Sequence, residues 1–136
     1  MISSYTITNQ TVDTDVTLAF NINKIKTGCT VTHAEGTPTF SLNKPGYYFI
    51  SFEASAAGTD AGDVVVQMYE NGVPVADAIT TMNSTAATDI GNLSFTTIVQ
   101  VRPSCCAIDN ESKLTFVNTG VEAVFSNVNL VITKLC

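Results

Sequence analysis

The stretch KPGYYFISFEASA, residues 44–56, decides how this chain is read. Pro45-Gly46 is a turn signal, and the aromatic and β-branched residues that follow favour a strand. A strand with one buried face alternates apolar and polar residues. This one does not alternate at its start. Tyr48, Ile50 and Phe52 share one face, while Tyr47 and Phe49 share the other. The first set calls for a core, and the second calls for a further cover.

Outward from that strand, similar runs recur at short intervals with turn residues between them. That spacing is the signature of a sandwich or barrel. Upstream lie runs at 5–8, 16–23 and 39–42, separated by the polar, glycine-bearing segment 24–39. Downstream, DVVVQMY (63–69) puts Val64, Val66 and Met68 on one face. Asn71-Gly72 then turns the chain into 73–81, because Asn-Gly tolerates positive φ at both central positions of a hairpin. Runs at 93–101, 113–118 and 124–134 complete the set, the last alternating at Val128, Leu130 and Ile132. No amphipathic helix is read. Eight or more antiparallel strands in 136 residues predict an all-β fold, a two-sheet antiparallel jelly-roll sandwich, as one domain over residues 1–136.

The composition agrees. The chain is 45% hydrophobic and 13% charged, about half the usual charged fraction. Its surface must therefore be built from Thr, Ser and Asn. Six basic residues against twelve acidic ones give a net charge of −6. The basic residues are scattered, which argues against nucleic acid or anionic membrane as partners. No apolar run reaches the ~18 residues of a spanning helix. MISSYTITNQ lacks the basic-then-apolar pattern of a secretory leader.

Catalytic signals are weak. His33 is the only histidine; with Glu35 nearby in a polar segment, it is read as a surface residue. No G-x-S-x-G elbow occurs, Cys105-Cys106 has no second histidine to activate it, and no carboxylate pair is fixed by local spacing. No enzyme activity and no cofactor are expected. The four cysteines, Cys29, Cys105, Cys106 and Cys136, form no C-x-x-C pair, so a zinc site is not read. Sequons at Asn9, Asn83, Asn92 and Asn110 are what a chain this rich in Asn, Ser and Thr produces by chance.

FSLNKPGYYFISF (40–52) resembles the signature of the complement globular-head and tumour-necrosis-factor-like jelly rolls. In that family a strand followed by a glycine turn enters the central strand of the inner sheet. DVVVQMYENGVPV (63–75) resembles the family's next hairpin, and VNLVITKL (128–135) its closing strand. The closest flavour is that of bacterial exosporium-glycoprotein C-terminal domains and bacteriophage structural proteins. Two departures stand out: the loop at 102–112 is long, and there is no tryptophan.

The resemblance implies a compact homotrimer packed through the inner sheet. Tyr47, Phe49 and Ile98 are the candidate trimer-interface residues. Ile98 has the opposite parity from Phe95, Val99 and Val101. Some relatives bind calcium at the trimer apex, which makes Asp60 and Asp63 weak candidates in a loop otherwise read as a solvated turn. Alternation of loops between the two ends places Cys136 near Cys105 or Cys106 as a candidate disulfide, with Cys29 toward the other end.

The expected function is structural: a trimeric, surface-displayed protein acting through assembly and adhesion. It would be a phage capsid-decoration protein or fibre head, or a bacterial or spore surface component, located on a virion or cell surface. Other virion or surface-layer proteins are then further partners. The alternative is a carbohydrate- or receptor-binding tip, although the loops at 57–62 and 82–92 contain no aromatic residue to pack on a sugar.

Overall fold

A computed structural model of the chain describes residues 1–85, 90–103 and 112–135. Twelve strands form among them: β1 (Ile2–Thr6), β2 (Gln10–Val12), β3 (Val16–Thr17), β4 (Ile22–Lys26), β5 (Val31–Thr32), β6 (Phe40–Leu42), β7 (Gly46–Gly58), β8 (Gly62–Glu70), β9 (Val73–Ser84), β10 (Gly91–Val101), β11 (Ser112–Asn118) and β12 (Ala123–Leu135). They make two sheets. One runs β10-β7-β12-β1-β4, with β2 also on β12; the other runs β5-β6-β11-β8-β9, with β3 also on β11. Every pairing is antiparallel. The jelly-roll sandwich expected from the sequence is the fold. No helix among the described residues is long and apolar enough to cross a membrane.

β7 is the central element, paired along its length with both β10 and β12. Its inward residues Tyr48, Ile50 and Phe52 are wholly buried. They meet Val64, Val66, Met68, Leu114 and Phe116 of the facing sheet in one core. Aromatic rings carry the contact across the sandwich. Phe95 stacks on Phe52 at 5.2 Å and Phe52 on Phe116 at 5.4 Å. Phe116 meets Phe20 edge-on at 5.7 Å, and Phe20 meets Phe40 at 5.1 Å. Such pairs add about 0.5–1.5 kcal/mol each beyond the area they bury. The Asn71-Gly72 turn forms as expected, with φ of 51° and 83°. Tyr48 ties down the preceding turn, its hydroxyl donating to the Lys44 carbonyl at 2.6 Å.

The first forty residues depart from the sequence reading. The run at 16–23 is not one strand. It breaks into β3 and β4, and 18–21 crosses between the sheets. Side chains satisfy that crossing: Gln10 both donates to and accepts from the backbone of Ala19, and Thr6 Oγ1 accepts from Asn21 N and donates to Ala19 O. The polar segment after it contains β5 and lengthens β4.

His33, expected on the surface, is buried at 5% exposure. It stacks on Phe40 at 4.1 Å. Its Nε2 lies 2.8 Å from the Thr37 carbonyl and its Nδ1 2.7 Å from Asn23 Oδ1. Asn23 Oδ1 also accepts from Ser4, while Asn23 Nδ2 donates to the His33 carbonyl. This network ties β1 and β4 of one sheet to the segment between β5 and β6 of the other. Opposite it, the second seam is closed by Thr97 Oγ1 donating to Asp77 and by Ser94 N donating to Thr80 Oγ1.

Cys29 also departs from expectation. Asn43 donates to its carbonyl, and Thr27 N donates to Met1 O. That puts the β4–β5 turn at the end where β7 begins and where β10 and β12 finish, not at the opposite end.

Gly120 sits where the β11–β12 turn lies directly on β8. A methyl there would run into the Asp63 carbonyl and Val65 nitrogen, both backbone and unable to swing aside. Gly120→Ala should cost about 1–3 kcal/mol, read as a lower urea midpoint at unchanged m. His33 supplies a second test. Loss of hydration pushes its pKa below the ordinary 6.5, outweighing the Thr37 carbonyl and Glu35, which raise it; Lys26 lowers it further. The folded ring therefore holds its proton less firmly than the unfolded one, so its contribution is complete above pH 6.5 and is lost as pH falls through the folded pKa. The single imidazole resonance in NMR should titrate below 6.5, and unfolding midpoints should fall on acidification. A titration above 6.5 would contradict this.

Candidate assembly face

Inward residues of the β10-β7-β12-β1-β4 sheet fill the core, and the alternate residues face outward. Cross-strand register sets them in rows. Tyr47 of β7 lies between Gln100 of β10 and Leu135 of β12; Phe49 lies between Ile98 and Thr133. Tyr47 is 51% exposed, Ile98 57% and Leu135 39%, and Phe49 is half-buried. Gln100 Nε2 donates to the Tyr47 hydroxyl at 3.2 Å, which holds that ring in place. All three sequence-predicted interface residues thus fall on one face, with Ile98 and Phe49 directly paired. Leu135, with the same parity as Thr133, was missed; its place at the end of an alternating strand was the available signal.

Beyond Ser51 the face changes character. The next rows are Ser94, Glu53, Asn129 and Tyr5, then Asn92, Ser55 and Asn127. On β10, β7 and β12 the exposed apolar residues therefore gather at the end of the sheet where β7 begins, while Ile22 and Ile25 stand exposed on β4, beside Tyr5 and Ser3. Chemically the strip offers van der Waals surface and one phenol. Of the sequence-predicted disulfide residues, Cys105, Cys106 and Cys136 lie outside the described residues.

No protein-family model matches the chain, and no curated protein matches it. Solved structures do. The chain is similar to Eiger TNF from S. frugiperda, with a TM-score of 0.62 and 11% identity over 99% of this chain and 92% of that one. It is similar to murine APRIL at pH 5.0, with a TM-score of 0.58 and 9% identity over 98% of both chains. It is also similar to the PRD1 vertex protein P5, with a TM-score of 0.55 and 15% identity over 99% of this chain and 72% of that one. At these identities the likeness is one of fold: a tumour-necrosis-factor-like jelly roll, shared with a phage protein.

Of the two calcium candidates, which the sequence places in one loop, only Asp60 lies in the loop between β7 and β8; Asp63 is already in β8, paired with Asn83 of β9. Asp63 Oδ1 accepts from Asn83 Nδ2 at 3.0 Å, and Thr59 is engaged by Glu122 rather than by an aspartate. Among the described residues, no group of three or more His, Cys, Asp or Glu side chains gathers to hold a metal ion. A calcium site needs six to eight oxygens. If the loop is a solvated turn, millimolar calcium should leave the thermal unfolding midpoint unchanged, since only a ligand that binds the folded state stabilises it. A midpoint that climbs with calcium concentration would support Asp60 and Asp63 as ligands.

Proposed function

We propose that this chain is a structural protein that works by self-assembly, as a homotrimer displayed on a virion or on a bacterial or spore surface. One observation carries the reading. Tyr47, Ile98 and Leu135 stand exposed beside Phe49 on a rigid sheet face whose other side is already a full core. Nothing in the fold of one chain requires aromatic and aliphatic side chains there. A second copy supplies a reason. Withdrawing each large apolar side chain from water is worth about 1.5–3 kcal/mol, and cyclic symmetry repeats the gain at every interface.

The fold-level likeness to a phage vertex protein and to two tumour-necrosis-factor-like proteins supports the surface-displayed reading. So does the mostly uncharged exterior, which suits packing against neighbours. Capsid decoration or a fibre head fits the phage side of this reading, and a cell or spore coat component fits the bacterial side. Genomic context separates them.

Light scattering tests the assembly directly. The wild-type chain should give three times the 14.4 kDa of one chain, and Phe49→Lys should return it to the single-chain mass with its β-sheet circular dichroism intact. Phe49 faces outward, so the variant leaves the core untouched. A wild-type monomer at micromolar concentration would overturn the reading. A Phe49→Lys trimer would remove Phe49 from the interface.

A further inference from the structure

The polar end of the same sheet face is concave. A depression of about 700 Å³ crosses it from β10 to β4, lined by Asn92 and Ser94, Glu53 and Ser55, Asn127 and Asn129, Ser3 and Tyr5, and Lys24. From the geometry and chemistry of this basin we propose that it is a binding site for a neutral saccharide.

Two β-bulges border the basin. On β12 the register shifts between Phe125 and Asn127, leaving Ser126 as the extra residue. On β4 it shifts opposite Ser3 and Ser4, leaving Lys24 as the extra residue. Bulges re-aim side chains and recur beside functional sites. The β12 bulge has a visible effect here: it resets the parity so that Asn127 and Asn129 stand exposed on the outer face while Val128 stays in the core.

The lining selects the ligand class. Among the described residues, the Asn127 and Asn129 amides and the Glu53 carboxylate make no hydrogen bond within the chain, so their capacity is free for a ligand. An amide offers an acceptor and a donor to adjacent hydroxyls, and a carboxylate accepts from two. Tyr5, half-buried, contributes an aromatic side chain to the same lining. Among the described residues Lys24 is the only cation in the lining, so a phosphate or sulfate ester is poorly served; Ala54 and Leu93 also line the basin but are themselves buried, so polar side chains supply its exposed groups. The groups stand on paired strands rather than loops, so little ordering is needed on binding. The aromatic residue missing from the loops is thus found on the sheet.

The site shares a face with the proposed assembly strip but none of its residues. At ~3.3 Å per residue, Phe49 and Ser55 are roughly 20 Å apart along β7. Titrating the isotope-labelled full chain with glucose, galactose, mannose, N-acetylglucosamine and their disaccharides, and following backbone amides by NMR, tests the proposal. At least one sugar should shift Glu53, Ser94 and Asn129 at millimolar affinity, and Asn129→Ala and Glu53→Gln should each weaken it by about tenfold, the loss expected for hydrogen bonds of this kind. Neither side chain holds the fold, so both variants should keep the wild-type spectrum. No response to any sugar at about 50 mM, weaker than any useful affinity, overturns the proposal. So do shifts confined to loops, or binding that both variants leave unchanged. Light scattering on the same samples keeps the two ideas apart: a trimer that binds no sugar overturns this site alone, and a monomer that binds sugar overturns the assembly alone.

Discussion

The fold hangs on a file of rings, packed face to face or edge-on, that crosses from one sheet to the other: Phe95, Phe52, Phe116, Phe20, Phe40 and finally His33. Its members come from β10, β7, β11, the crossing segment, β6 and the segment that follows β5. Each ring has neighbours on two elements, so none of β6, β7, β10 and β11 can slip by one residue without pulling a ring out of line. A slip of one would also exchange the inner and outer faces of that strand. The outward positions of Tyr47 and Phe49 follow from the inward position of Phe52. Both faces of the functional sheet are set from the core.

That dependence explains what could be read from the sequence. β7 was legible because its apolar residues fall on both parities, an unusual pattern with a direct structural meaning. The Asn71-Gly72 hairpin was legible because its backbone demand is local. Tyr47, Phe49 and Ile98 were placed on one face by parity and by the resemblance. The first forty residues were not legible in the same way. β4 is INKIK and mostly exposed, with little periodicity to find. The crossing at 18–21 is held by the side chains of Thr6 and Gln10, 9 to 15 residues upstream of the backbone groups they bind, and nothing in its own composition announces that. His33 looked like a surface residue because its neighbours in sequence are polar; its neighbours in space are Phe40, Asn23 and Thr37.

The basin was hidden for a related reason. Its residues are single Asn, Ser and Glu positions spread over five strands, each ordinary for a solvated sheet face. Two bulges bring them into one hollow, and bulges leave no periodic mark in a sequence this rich in Asn and Ser. The apolar strip and the basin thus divide one face by position along β7. Hydrophobic contact has one end and hydrogen-bonding capacity the other, without a second domain or a long loop to separate them.

The bulge at Lys24 has a consequence for growth. β4 is one of the two outer strands of its sheet, and it carries Lys24 and Lys26 beside a break in register. An open edge of regular strand is a template on which further chains can add without limit. A kinked edge bearing ammonium groups resists that addition. Strand addition is thus disfavoured at β4, while the sheet's other outer strand, β10, is tied to β9 of the facing sheet through Thr97 and Ser94.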